Sequence, residues 1–167
     1  GCTALTYLKC ANNQLATLNL GANTALSTLI VSNNHLPSLD LRANTALAAV
    51  TLGQQTITVN ATQQDNVFYA PVDGLTADGV VYQDTEKYEN GNFVTADYAL
   101  MQNGFTYEYA TGSDLAGAMT VDVTVVKDFY QVRFYGDETK TVLLSAVAVN
   151  SGQTAVAPTD IALPQCK

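Results

Sequence analysis

Thr3-Ala4-Leu5-Thr6-Tyr7-Leu8-Lys9-Cys10-Ala11-Asn12-Asn13-Gln14-Leu15 is the stretch that decides the fold. It returns 21 residues later as Thr24-Ala25-Leu26-Ser27-Thr28-Leu29-Ile30-Val31-Ser32-Asn33-Asn34-His35-Leu36. A third copy follows at the same interval, with Leu47, Val50, Leu52, Gln55 and Ile57 in the places of Leu5, Leu8, Cys10, Asn13 and Leu15. The tripeptides Cys2-Thr3-Ala4, Asn23-Thr24-Ala25 and Asn44-Thr45-Ala46 mark one corner three times. Gapless agreement at so many positions signals a repeat architecture.

Each unit also divides in two. Leu5-x-x-Leu8-x-Cys10-x-x-Asn13 is echoed by Leu15-x-x-Leu18-x-Leu20-x-x-Asn23. Alternation of apolar and other residues has the period of a strand. Asn-rich corners suit turns, because Asn tolerates left-handed φ and its amide can bond backbone groups that lack a partner. One unit is therefore read as one coil of a solenoid, with two extended segments and two corners. A lone coil cannot bury its apolar residues, so coils must stack. Asn13 and Asn34 are expected to form an internal ladder at the bend, and Cys10, in the column of Val31 and Leu52, to be a small buried hydrophobe. Cys2 and the single histidine, His35, fall at exposed corners, and no Cys2–Cys10 bridge is expected. The third unit decays at Val59 and Asn60, so the solenoid is assigned to residues 1–62. Its first unit has no capping segment, and further coils are expected ahead of it.

Beyond residue 62 the period is lost and short β-rich runs take over. Asn66–Val72, Val80–Gln83, Tyr88–Ala96, Phe105–Ala110 and Ala118–Val126 are expected strands, and Asn90-Gly91 and Asn103-Gly104 are tight-turn signals. Alternation in Met119-Thr120-Val121-Asp122-Val123-Thr124-Val125 predicts one buried and one wet face. Residues 63–126 are read as an antiparallel β-sandwich or Ig-like module. Residues 127–167 add strands at Phe129–Tyr135 and Thr141–Val149 around a turn at Gly136-Asp137-Glu138, a thin module by itself.

Composition bounds the function. Apolar residues make up 47% and charged residues 13%, against about 25% charged in an ordinary soluble domain. The net charge is −8. All of it lies in residues 66–126, where nine acids (six Asp, three Glu) face Lys87 alone; the flanking segments balance to zero. Without a basic stripe, nucleic acid and anionic membranes are poor partners. No apolar run approaches the ~18 residues of a membrane span. Three sparse cysteines, Cys2, Cys10 and Cys166, make neither a disulfide framework nor a zinc pattern. With one histidine, no Cys–His pair at a plausible spacing and no phosphate loop, an enzyme is not expected. The acidic pairs Asp84/Glu86 and Asp137/Glu138 read as solvated. No metal and no cofactor are expected; the acidic segment has no calcium-loop pattern.

The stretch Thr3–Leu15, continued by Leu18-Asn19-Leu20, resembles the leucine-rich repeats of surface proteins from gut Bacteroidetes and Firmicutes, related to internalins. The resemblance covers residues 1 to about 62. Phe105–Val126 resembles the β-module that follows such repeats. Tyr130–Tyr135, with Val149–Gln153 and Ala157-Pro158, resembles the opening of an internalin B-type repeat, a small β-grasp-like module whose second half is missing here. The resemblance implies a mostly β chain, secretion or anchoring at the bacterial surface, and recognition of protein or glycan, host-derived or otherwise, by the repeat face. It brings no catalytic residues. In such a protein the sequon Asn60-Ala61-Thr62 carries no meaning. Outward strand positions are Tyr7, Lys9 and Ala11, then Thr28, Ile30 and Ser32, then Ala49, Thr51 and Gly53. Of these, Tyr7, Lys9, Thr28, Ile30 and Thr51 are the candidate ligand-binding residues, with Tyr7 and Ile30 as anchors. The alternative role is a structural spacer or stalk that lifts a larger solenoid from the cell surface.

Overall fold

A computed structural model describes residues 2–81, 87–156 and 158–159. The chain is mostly β, with several sheets and one short helix. Three short strands, β1 (Tyr7–Lys9), β2 (Thr28–Ile30) and β3 (Ala49–Thr51), form a parallel sheet in the order β1-β2-β3. Their register is the repeat itself: Leu8 pairs with Leu29, and Leu29 with Val50. Backbone bonds extend the stacking beyond the strands. Cys10 N–H donates to Ile30 O at 2.9 Å, and Val31 N–H to Thr51 O at 2.9 Å. Leu26, Leu29 and Leu36 of the middle unit are fully buried. The corner turns through left-handed backbone at Asn12 and Asn33, φ 57° at both. In the third unit that conformation moves one residue earlier, to Gly53 at φ 56°, where the absent Cβ removes the penalty that a Gln would meet.

That shift releases a strand. β4 runs Gln54–Gln64, burying Gln55, Ile57, Val59 and Ala61 and exposing the residues between. It belongs to a sheet of seven strands. The others are β5 (Val67–Pro71), β6 (Val80–Val81), β7 (Lys87–Glu89), β8 (Asn92–Thr95), β9 (Phe105–Ala110) and β10 (Ala118–Lys127), in the order β6-β9-β10-β4-β5-β8-β7. A division after residue 62 falls inside β4. Val80–Gln83 is described only as far as Val81, and the acidic pair Asp84/Glu86 lies outside the described residues.

The sheet is not wholly antiparallel, as the sandwich reading expected. β10 runs parallel to β4, with Val121 opposite Gln55 and Val123 opposite Ile57. The long connection between them, through β5 to β9, permits a parallel pair that a hairpin could not make. A bridge between Asn34 and Gln55, also parallel, carries the same ladder back into the middle unit. β10 therefore stacks on the third unit where a further unit would lie. The first part of β4 serves β10 and its last residues serve β5, so the two halves of the sheet face each other. Phe93 of β8 meets Phe105 and Tyr107 of β9 with ring centroids at 4.7 and 4.9 Å.

The short helix α1 (Tyr98–Met101) starts on Asp97, whose carboxylate accepts from Ala99 N–H at 2.9 Å as an N-cap does. Finally β11 (Phe129–Tyr135) and β12 (Leu143–Asn150) form an antiparallel hairpin. Its turn closes on Asp137, whose carboxylate accepts from the Thr141 and Val142 amides at 3.0 and 2.9 Å. The hairpin docks through buried Phe129, packed on Phe68 and Tyr98, and through Asn150, whose side chain bonds Gln63 N–H and O.

Candidate functional site

The five expected ligand residues all lie on the three parallel strands, on the face away from the leucines. Tyr7 is 55% exposed. Lys9, Ala49 and Thr51 are exposed; Thr28 and Ile30, in the middle strand, are half-buried. Strand alternation explains the arrangement: with Leu8, Leu29 and Val50 turned inward, their neighbours must turn outward. Columns therefore run Tyr7–Thr28–Ala49 and Lys9–Ile30–Thr51. The next, Ala11–Ser32–Gly53, is tight, since a Cβ at Gly53 would lie 2.3 Å from the Ser32 Cβ. Roughly nine outward positions, at ~4.8 Å between strands and ~6.8 Å along them, cover about 300 Å². A stable protein complex buries ~800 Å² on each side. The face is flat, carries one aromatic ring and one charge, and suits a small epitope or the centre of a larger one.

Beneath it lies the amide ladder. Asn34, 1% exposed, donates to Val31 O at 2.9 Å in its own unit and to Cys10 O at 3.0 Å in the unit before. Its Oδ1 accepts from Leu15 N–H at 3.1 Å. Gln55, fully buried, repeats the pattern toward Leu52 O, Val31 O and Leu36 N–H. Asn13 is exposed and bonds only within its unit, to Cys10 O and Ala11 O. Cys10 is half-buried rather than enclosed; burial pushes its thiol pKa up. Both Cys2 and Cys10 are free thiols.

The concave surface lies elsewhere. Two cavities of about 350 and 280 Å³ share Ala16, Thr17, Pro37 and Asp73 as lining residues. They form a groove between the second segments of the first two units and the loop after β5. His35 lines it and is exposed, its Nδ1 2.6 Å from Thr56 O. Ser38 Oγ donates to Gly74 O at 3.1 Å across the groove. Buried Tyr107 holds the same segment by donating its hydroxyl to Pro37 O at 2.7 Å, and burial pushes the phenol pKa up. A third cavity, about 290 Å³, is lined by Asp40, Arg42, Thr76, Asp78 and Tyr109 among others. There the Arg42 guanidinium holds the Asp40 carboxyl at about 2 by hydrogen bonds to an exposed partner. None of these cavities is lined by the five expected residues. Sequence reasoning missed the groove because it depends on contact between residues near 37 and near 73, which no local pattern encodes. Among the described residues, no three His, Cys, Asp or Glu side chains gather as a metal set.

No protein-family profile matches the sequence, and no curated protein matches it. Among solved structures, the chain is similar to the functional domain of InlJ from Listeria monocytogenes, described as including a cysteine ladder. The identity is 20% and the TM-score 0.38, over 74% of this chain and 34% of that one. The chain thus spans about a third of that protein's length.

Proposed function

We propose that this chain is a non-enzymatic binding module of leucine-rich repeat type, from an internalin-like bacterial surface protein, and that it recognises protein or glycan through the outward face of β1, β2 and β3. The observation that carries this reading is the 21-residue parallel register. It turns the leucines in and leaves Tyr7, Lys9, Thr28, Ile30 and Thr51 side by side on one face. Tyr7 supplies the anchor: a large ring with a polar tip, held out on a rigid strand. A face of about 300 Å² is enough for a few sugar rings or one peptide hot spot, and a protein partner would need neighbouring surface as well. The same small area supports the second reading, that the chain chiefly displays other binding surfaces as a spacer.

The test is a printed array of glycans and extracellular host proteins probed with the chain and with a Tyr7→Ala, Ile30→Ala double variant. Hits lost by at least ten-fold in the variant, with an unchanged circular dichroism spectrum, support the face. Hits retained by the double variant remove it, and an array with no hits favours the spacer.

A further inference from the structure

The groove between the repeats and the loop after β5 is built before any ligand arrives. Its two cavities, about 350 and 280 Å³, join through Ala16, Thr17, Pro37 and Asp73, and together they reach the size of ligand pockets, roughly 300–1,000 Å³. The walls are held in place. Ser38 Oγ donates to Gly74 O across the groove at 3.1 Å, and the Tyr107 hydroxyl donates to Pro37 O at 2.7 Å. We propose that this groove binds an extended segment of another protein, with a Lys or Arg of that segment seated on Asp73. The groove shares no residue with the outward face of β1, β2 and β3, so either site can fail without the other.

Three observations choose this occupant. The first is charge. Asp73 lines both cavities and is exposed. It belongs to the segment that carries the whole net negative charge of the chain. Neither cavity is lined by Lys or Arg, and the nearby Arg42 is already paired with Asp40 at 2.7 Å. Among the described residues Asp73 therefore has no cation of its own, and the groove favours a positive group over a negative one. The second is the backbone. Thr17 and Ser38 line the groove outside the strands, and among the described residues their amides and carbonyls make no hydrogen bond. Such groups can pair with the main chain of an extended peptide, as a sheet edge does with an added strand. The third is the rest of the lining. Ala16, Pro37 and Pro71 give a low apolar wall, and no aromatic ring lines either cavity. A sugar would find no flat ring to stack on. The alkyl stem of a Lys or Arg, by contrast, can lie along such a wall while its charged head reaches a carboxylate.

The experiment measures binding of the whole chain to fluorescein-labelled hexapeptide pools, each with one residue type fixed at a central position and the other positions degenerate. The Lys and Arg pools should bind most tightly, and the Asp and Glu pools least. Asp73→Asn should weaken the Lys and Arg pools by about two- to five-fold, the scale of an exposed ion pair. Asp65→Asn, the same charge change in the exposed turn between β4 and β5, should leave them as they are. Ala16→Phe places a ring in the groove from an exposed position; it should remove binding of every pool with an unchanged circular dichroism spectrum, and Tyr7→Ala should remove none. Lys and Arg pools no tighter than the Asp and Glu pools overturn the proposal, as does binding that Asp73→Asn leaves unchanged. Two other occupants would overturn it as well. Glycans on a printed array that Ala16→Phe loses would assign the groove to a sugar, and a dimer in sedimentation that Ala16→Phe dissociates would assign it to a second copy.

Discussion

Replacing Asn34 by Ala should destabilise the chain far more than the same change at Asn13, although the two residues hold equivalent places in the repeat. Asn34 is 1% exposed. Its amide donates at 2.9 and 3.0 Å to Val31 O and Cys10 O, and its oxygen accepts at 3.1 Å from Leu15 N–H. Removing the side chain strands the Leu15 N–H and takes one of two side-chain donors from Val31 O and Cys10 O, which keep Gln55 Nε2 and Asn13 Nδ2. A buried group stranded in this way costs about 1–3 kcal/mol. Leu15 and Cys10 are half-buried, so water can relieve part of their loss. The expected total is about 2 kcal/mol, most of it from the stranded Leu15 N–H. Asn13 is exposed, and water can replace both of its bonds; Asn13→Ala should cost less than ~1 kcal/mol. Urea denaturation followed by circular dichroism measures both, with the m-value confirming that the same surface unfolds. Equal losses for the two variants, or a loss under ~1 kcal/mol at Asn34, would refute the view that stacked amides hold the units together.

Leu29→Ala should cost about 2–5 kcal/mol, as for a fully enclosed leucine, and Leu8→Ala about half as much, since its site is open on one side; thermal melts of the pair would show it. Gly53→Ala should lower the melting temperature by several degrees more than Gly91→Ala. Both residues have positive φ, but only at Gly53 does a new Cβ come within 2.3 Å of another side chain, that of Ser32. Asp40 should titrate at about 2, and in Arg42→Ala its midpoint, followed by carboxyl NMR, should rise toward the ordinary range near ~4 but stay below it, because the backbone N–H of residue 42 still donates to Oδ1. Because the folded pKa lies below the unfolded one, the pair favours folding above pH ~4 and loses that effect as the pH falls toward 2. Both side chains are exposed, so the effect is small and Arg42→Ala should lower the neutral-pH melting temperature only slightly.

Leucine spacing made β1, β2 and β3 readable to the residue, because a fixed interval is a statement about neighbours as well as about local shape. The Asn90-Gly91 turn was equally plain: it joins β7 to β8 with φ of 50° and 85°. β4 shows where reading stopped short. Gln55, Ile57, Val59 and Ala61 alternate with Gln54, Thr56, Thr58 and Asn60, a period-two signal in full view, yet the repeat frame makes the same residues look like a decaying coil. Both descriptions hold for Gln55, which closes the amide ladder and opens the strand. The partner of β4 was beyond reach, since β10 lies more than 50 residues downstream and alternation carries no information on parallel or antiparallel pairing. On the candidate face, sequence could say which side chains turn outward. It did not say how far the flanking strands cover the middle one, leaving Thr28 and Ile30 half-buried between exposed neighbours.

The passage from repeat to sheet bears on how far the chain acts as one body. Leu41 and Leu52 from the repeats, Ile57 from β4, and Tyr107 and Val121 from the sheet belong to one contiguous apolar cluster. The Tyr107 hydroxyl on Pro37 O and the Thr111 carbonyl on Leu41 N–H tie the sheet to the second segment of the middle unit. Such a core cannot be divided after residue 62 without exposing both halves of β4 and the leucines beneath it. The strand face itself is less evenly supported: β1 and β3 each pair with β2 alone, and Leu8 and Val50 beneath them are half-buried where Leu29 is fully buried. Rigidity should therefore be greatest along Thr28–Ile30 and fall toward the edge strands on either side. Tyr7, the largest exposed side chain of the face, sits on one of those edge strands, so any partner that engages it must also bear the cost of ordering β1.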